Sequence, residues 1–222
     1  MPGRLSTESG RIRPRAHKTK STMRKHLVGA FLLMTLGGLP SVAQVQACPQ
    51  TDVSGCTPWS ARYERGDLAG AIAELRKALK LHPHDPRLHF QLGNALYRNG
   101  DMRAAADSYG ASLAARPDHF EAHMSRGFAL YEVGESEQAL AEWSAAVRLE
   151  PKGPFAHAGL AVGLYATGQV EDAKTQYDIA DALDHRYSDP HNLRIDIRWT
   201  PKALGVVKRL LGLLQDDINQ GR

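Results

Sequence analysis

Three stretches, "HFQLGNALYRNGD" (89–101), "HMSRGFALYEVGE" (123–135) and "HAGLAVGLYATGQ" (157–169), each open on a histidine, carry a tyrosine and end just past a glycine; each begins 34 residues after the last. The same interval links Gly66, Gly100, Gly134 and Gly168, then Ala71, Ala105, Ala139 and Ala173, then the bulky Leu75, Tyr109, Trp143 and Tyr177. Pro83, Pro117 and Pro151 close three of the units. A fixed period of this length marks an array of like supersecondary units. Each glycine lies between two amphipathic stretches, so the unit reads as helix, tight turn, helix.

Each recurring residue has a physical job. The glycine can take the left-handed conformation that a sharp turn between helices requires. The alanine, early in the second helix, lets that helix approach the first. The bulky residue fills the space between helix layers. The proline ends the second helix. These registers resemble the tetratricopeptide repeat (TPR), a 34-residue helix–turn–helix with Leu-Gly, then Ala, then a bulky residue, then Pro. The resemblance covers 57–185 and implies an all-α fold: a right-handed superhelix of about four units, spanning roughly 57–85, 86–119, 120–153 and 154–187. The predicted helix pairs are 57–65 with 68–82, 86–99 with 102–115, 120–133 with 136–149, and 154–167 with 170–184.

Departures from the pattern are informative. Pro58-Trp59 stands where Leu-Gly belongs, which predicts a short first helix with Thr57 as N-cap and Pro58 in the first turn. Arg126 replaces the Leu of unit three, Ala161 the Gly of unit four, and His185 the closing Pro. After Tyr187 the period stops, and 188–222 forms a C-terminal extension. Within it "LRIDIRW" (193–199) alternates as an extended segment would, and "TPKALGVVKRLLGLLQDD" (200–217) reads as a helix with Thr200 as N-cap. Its apolar residues predict a helix that caps the open end of the array; a dimerisation or membrane-surface role is the alternative.

The chain has 28 Lys+Arg and 24 Asp+Glu, but residues 1–43 hold eight of the bases and one acid, leaving 20 against 23 in the rest. Nothing in that mildly acidic body suggests a phosphate-tracking face, so no nucleic-acid partner is expected. Arg24, Lys25 and His26, the apolar run Leu27–Leu39 and the small residues at 41–43 have the layout of a secretory signal peptide. The run rises about 20 Å as a helix, against roughly 30 Å of bilayer hydrocarbon. Export, to the periplasm or the medium, is therefore the expectation for the body, with 44–56 as a short linker; Met23 is an alternative start to Met1. Cys48 and Cys56 lie in that linker, and an oxidising compartment would favour a bond between them. Lipidation of Cys48 in its "VQAC" context, or an uncleaved anchor, is the rival, so any membrane contact is expected through the N-terminal segment alone.

His89, His123 and His157 raise the question of metal or catalytic chemistry. Equivalent helices pack about 8–10 Å apart, whereas zinc needs its nitrogens at about 2.0–2.1 Å from one point, and no second ligand sits at i+3 or i+4. They are read as packing histidines, with no metal or cofactor expected. No glycine-rich phosphate loop, G-x-S-x-G or H-E-x-x-H occurs, so no enzymatic activity is expected.

The family resemblance places the first helix of each unit on a concave groove, through its second, fifth, ninth and twelfth positions. Carried over, these are Tyr63; Phe90, Asn94 and Tyr97; Met124, Phe128 and Tyr131; and Phe155, Val162 and Tyr165. So large an apolar stripe marks a binding surface. The basic clamp by which some TPR domains hold a carboxylate is missing, because Phe90, Phe155 and Gly159 occupy its positions. The expectation is an exported, non-enzymatic scaffold binding a protein or peptide in an aromatic groove. A membrane-tethered envelope assembly factor, or an obligate subunit joined through the C-terminal helix, is the alternative.

Overall fold

The computed structural model describes residues 57–189, 191–192 and 199–221, which belong to one compact unit. The elements are α1 (Pro58–Glu64), α2 (Leu68–Leu81), α3 (Pro86–Asn99), α4 (Met102–Ala115), α5 (Phe120–Glu132), α6 (Ser136–Leu149), α7 (Pro154–Ala166), α8 (Val170–Leu183), a 3-10 turn (His185–Ser188) and α9 (Pro201–Gln220). Each helix packs on its neighbour in sequence, giving four stacked hairpins in a TPR solenoid. The eight repeat helices agree with the sequence reading to within a residue, because caps and turns fix both ends of most of them; α9 runs three residues past the expected 217. Cys48, Cys56, the signal-like segment and 193–198 lie outside the described residues.

The hairpin turns are one motif built four times. Gly66, Gly100, Gly134 and Gly168 have φ between +79° and +92°. In the second unit the Asp101 amide donates to the Leu96 carbonyl and the Gly100 amide to that of Tyr97. The same pair of bonds recurs at Asp67, Glu135 and Gln169. These are Schellman closures, which satisfy helix-end carbonyls and need a left-handed residue.

Close approach of the two helices comes from pairing small with large. Ala71, Ala105, Ala139 and Ala173 are fully buried, as are Leu75, Trp143 and Tyr177. A Cβ on Gly127 would stand 2.4 Å from Trp143 Nε1, and one on Gly93 2.6 Å from the Tyr109 ring. Glycine in the first helix is thus the space into which the bulky residue of the second helix fits. In the fourth unit the register puts the buried Ala161 in place of that glycine and the buried Tyr177 in place of the bulky residue; Tyr177 also anchors the end of the array, its hydroxyl donating to the Tyr187 carbonyl at 2.6 Å.

The in-register histidines tie successive units together. Nε2 of His89, His123 and His157 lies 2.8, 2.9 and 2.9 Å from the carbonyls of Pro83, Pro117 and Pro151. A carbonyl only accepts, so Nε2 carries a proton in each. Every ring therefore holds the loop entering its own helix. Arg126 has a matching explanation: it donates to Glu142 at 2.6 Å, and the second oxygen of Glu142 lies 2.6 Å from Nδ1 of His123. The half-buried Glu142 carboxylate thus has a partner on each oxygen, which is the condition for tolerating its charge.

Helix α9 starts with Thr200 accepting from the Ala203 amide at 3.2 Å and Pro201 in its first turn. Its Ala203, Leu204, Val206, Val207 and Leu210 are buried where it packs on α7 and α8. This is the capping helix expected from the sequence. No helix among the described residues is long and apolar enough to cross a membrane.

Candidate ligand groove

The predicted groove residues fall into two groups. At the C-terminal end the chain covers them itself. Trp199, 5% exposed, packs edge-on to Phe128 and Phe155 with ring centroids 5.3 and 6.2 Å away, while Phe128 and Phe155 stack on each other at 5.7 Å. Lys202 donates to the Tyr131 carbonyl and lies 4.2 Å from the centre of the Tyr131 ring. Arg209 stands 5.4 Å over Tyr165. Met124 and Val162 are interior, 2% and 0% exposed. The apolar stripe inferred from the sequence is therefore interrupted by the C-terminal extension, which buries much of what it would have exposed.

At the N-terminal end the groove is open. Tyr63, Asn94, Tyr97 and Tyr109 line a pocket of about 260 Å³, walled on its far side by Phe128, Phe155 and Trp199. Arg98 and Ser125 complete the lining. The Arg98 guanidinium lies 4.3 Å over the Tyr63 ring. Asn94 takes a fixed orientation, its Oδ1 accepting from the Tyr109 hydroxyl at 2.8 Å, so its amide N–H₂ remains available. Burial, followed by the negative charge of Glu132, pushes the Tyr97 phenol up to about 12. Phe90 is half-buried and is not part of this lining; it rests against Tyr109 at 5.7 Å and His119 at 4.7 Å.

The pocket thus joins Tyr63, Asn94, Tyr97, Phe128 and Phe155 of the predicted set and adds four residues outside it. Tyr109 serves twice, as interlayer filler and, through its hydroxyl, as the partner of Asn94. Arg98 and Ser125 sit one place beyond groove positions and gave no periodic signal. Trp199 carried a signal of another kind: a tryptophan just ahead of a helix N-cap needs a place to bury its ring. The volume lies just below the roughly 300–1,000 Å³ typical of small-molecule sites, a size suited to one or two side chains of a bound segment. Among the described residues no group of three or more His, Cys, Asp or Glu is arranged to hold a metal ion.

Comparison with known proteins agrees with the fold. A family model described as TPR repeat matches residues 60–100, and one described as tetratricopeptide repeat matches 90–135 and 128–185. No curated protein matches the chain significantly. A crystal structure of MamA superposes with a TM-score of 0.58 at 18% identity, covering 74% of this chain and 98% of that one. A second MamA crystal structure gives 0.60 at 18% identity, covering 73% and 83%. The MamA structure beginning at residue 41 from Desulfovibrio magneticus RS-1 gives 0.56 at 21%, covering 71% and 92%. Identities this low speak to the fold alone. The matched repeats span 60–185, more than half the chain, and coincide with the four stacked hairpins: the protein is a member of the tetratricopeptide repeat family, whose fold is a scaffold for protein interaction.

Proposed function

We propose that this protein is an exported, non-enzymatic adaptor that binds an extended segment of a partner protein in the N-terminal half of its concave groove. The observation that carries the reading is the open pocket, where the aromatic faces of Tyr63, Tyr97 and Phe128 meet the oriented amide of Asn94. Aromatic walls with a few placed polar groups are what recognition of a peptide segment uses. Helix α9 lays its apolar residues on α7 and α8, which favours an adaptor over a subunit that needs that face for association. Export rests on the signal-like layout of residues 24–43.

Selection of a random peptide library on the folded protein, repeated with Tyr97→Ala and Asn94→Ala, tests the groove. Enriched peptides that lose binding to both variants are expected. Enrichment indifferent to both substitutions would move the site elsewhere. Mass spectrometry of the protein from its host tests export: a chain beginning near Gln44 is expected, an intact residue 1 would refute cleavage, and acyl chains on Cys48 would favour the membrane-tethered form.

A further inference from the structure

The twelfth position of each unit is a tyrosine, and three of the four carry a cation over the ring. Arg98 covers Tyr63 at 4.3 Å, Lys202 covers Tyr131 at 4.2 Å, and Arg209 covers Tyr165 at 5.4 Å. Tyr97 is the exception: among the described residues no Lys or Arg stands over it, and its ring lines the open pocket.

The 34-residue register explains the gap. Arg98 sits next to Tyr97 in its own unit and reaches back to the tyrosine of the preceding one. The residue one repeat later is Glu132, and the next is Ala166. Alanine at that place leaves the Tyr131 ring to Lys202 from α9. In register, glutamate puts a carboxylate at the place where the second unit has its guanidinium. Its Oε1 is buried and meets no donor, although buried carboxylate oxygens are ordinarily paired. Its charge acts on the hydroxyls of both Tyr97 and Tyr131. An electron-rich ring face and an unpaired carboxylate are complementary to the same thing, a positively charged side chain.

From this we infer that Tyr97 and Glu132 form a cation site that takes a Lys or Arg side chain of the bound partner segment, completing the row of cations on the tyrosine ladder. The inference rests on the groove reading proposed above and names the chemistry of its ligand. Phe128 and Trp199 close the adjoining wall, so a hydrophobic residue beside the basic one fits the same pocket. Arg98 also lines the pocket, but it is exposed and turned onto Tyr63, so it leaves the Tyr97 ring without a cation. The net acidic balance of residues 44–222 points the same way.

The test uses the full chain and a minimal probe, Nα-acetyl-arginine methylamide, against its uncharged citrulline analogue, followed by NMR of the aromatic side chains. Saturable shifts of the Tyr97 and Phe128 rings and the Trp199 indole are expected with the arginine probe, with the citrulline analogue roughly tenfold weaker, as loss of one partly desolvated cation–π contact implies. Tyr97→Phe should retain binding, since the ring face remains. Tyr97→Leu and Glu132→Gln should each weaken it several-fold while the rest of the spectrum stays folded. Equal binding of the two probes, no saturable shift, or indifference to Glu132→Gln would overturn the cation site. The two proposals fail separately: selected peptides that depend on the groove yet carry no Lys or Arg refute the cation site and leave the groove. Arginine binding with no groove-dependent peptide refutes the groove as a peptide site and leaves the cation site.

Discussion

Substituting Gly127 by Ala isolates the size pairing that sets the distance between helices in the third unit. The new Cβ would lie 2.4, 2.7 and 2.8 Å from Nε1, Cε2 and Cδ1 of Trp143. That indole is fully buried and is hemmed in on its other side, since a Cβ on Gly159 or Gly163 would also come within 3.0 Å of it. It has nowhere to retreat. Overpacking of this kind costs about 1–3 kcal/mol, while alanine gains about 1 kcal/mol over glycine inside a helix. The net is a loss of up to about 2 kcal/mol, and each kcal/mol moves Tm by roughly 2–4 °C in a chain of this size. In a Trp143→Leu background the obstruction is gone and only the helix gain remains, so Gly127→Ala should become neutral or stabilising. The cycle should therefore show a coupling of about 1–3 kcal/mol, read from denaturant melts of the two single variants, the double variant and the parent. If Gly127→Ala costs the same in both backgrounds, the glycine is not there to admit the tryptophan and the packing argument fails.

Four further outcomes follow from the structure. Phe128→Ala should cost about 3–5 kcal/mol of stability, because Phe128 is only 8% exposed among Trp143, Phe155 and Trp199; Tyr97→Ala, at the open pocket, should impair binding in preference to folding, and melts beside peptide titrations distinguish the two. Gly212→Ala should stabilise by about 1 kcal/mol, since the position is helical and exposed and its new Cβ would meet nothing within 4 Å; a lower Tm would contradict this. Thr200→Ala should cost about 1 kcal/mol through loss of the α9 cap, seen as weaker hydrogen-exchange protection of α9 before that of α5. At alkaline pH, burial holds the Tyr97 phenol up to about 12, and Tyr109, Tyr177 and Tyr187 are raised further by burial. Unfolded phenols ionise near 10, so this stability is fully present below about pH 10 and is lost as pH rises through the folded values. Phenolate absorbance should lag that of the unfolded chain across pH 10–12, and coincident curves would refute it.

Most of the solenoid was legible because each of its features is satisfied within one period. A left-handed glycine closes its own turn, a small residue meets a large one in the paired helix, and each histidine reaches a carbonyl six residues back. Such contacts repeat with the sequence, so the period of 34 carries them. The site is different. Phe90 and Phe155 hold like groove-directed places in the pattern, yet Phe90 turns to Tyr109 and His119 while Phe155 stacks on Phe128. Which tyrosine keeps an open face depended on Trp199, Lys202 and Arg209, residues of an extension with no repeat. The bond from Lys202 to the Tyr131 carbonyl joins residues 71 positions apart. The sequence by itself determined the helices, their turns and the spacing of their layers, since those energies are local and recur. Tertiary structure alone decided how much of the groove remains open, because the burial of one aperiodic tail against two repeats depends on a shape that exists only once the repeats have stacked.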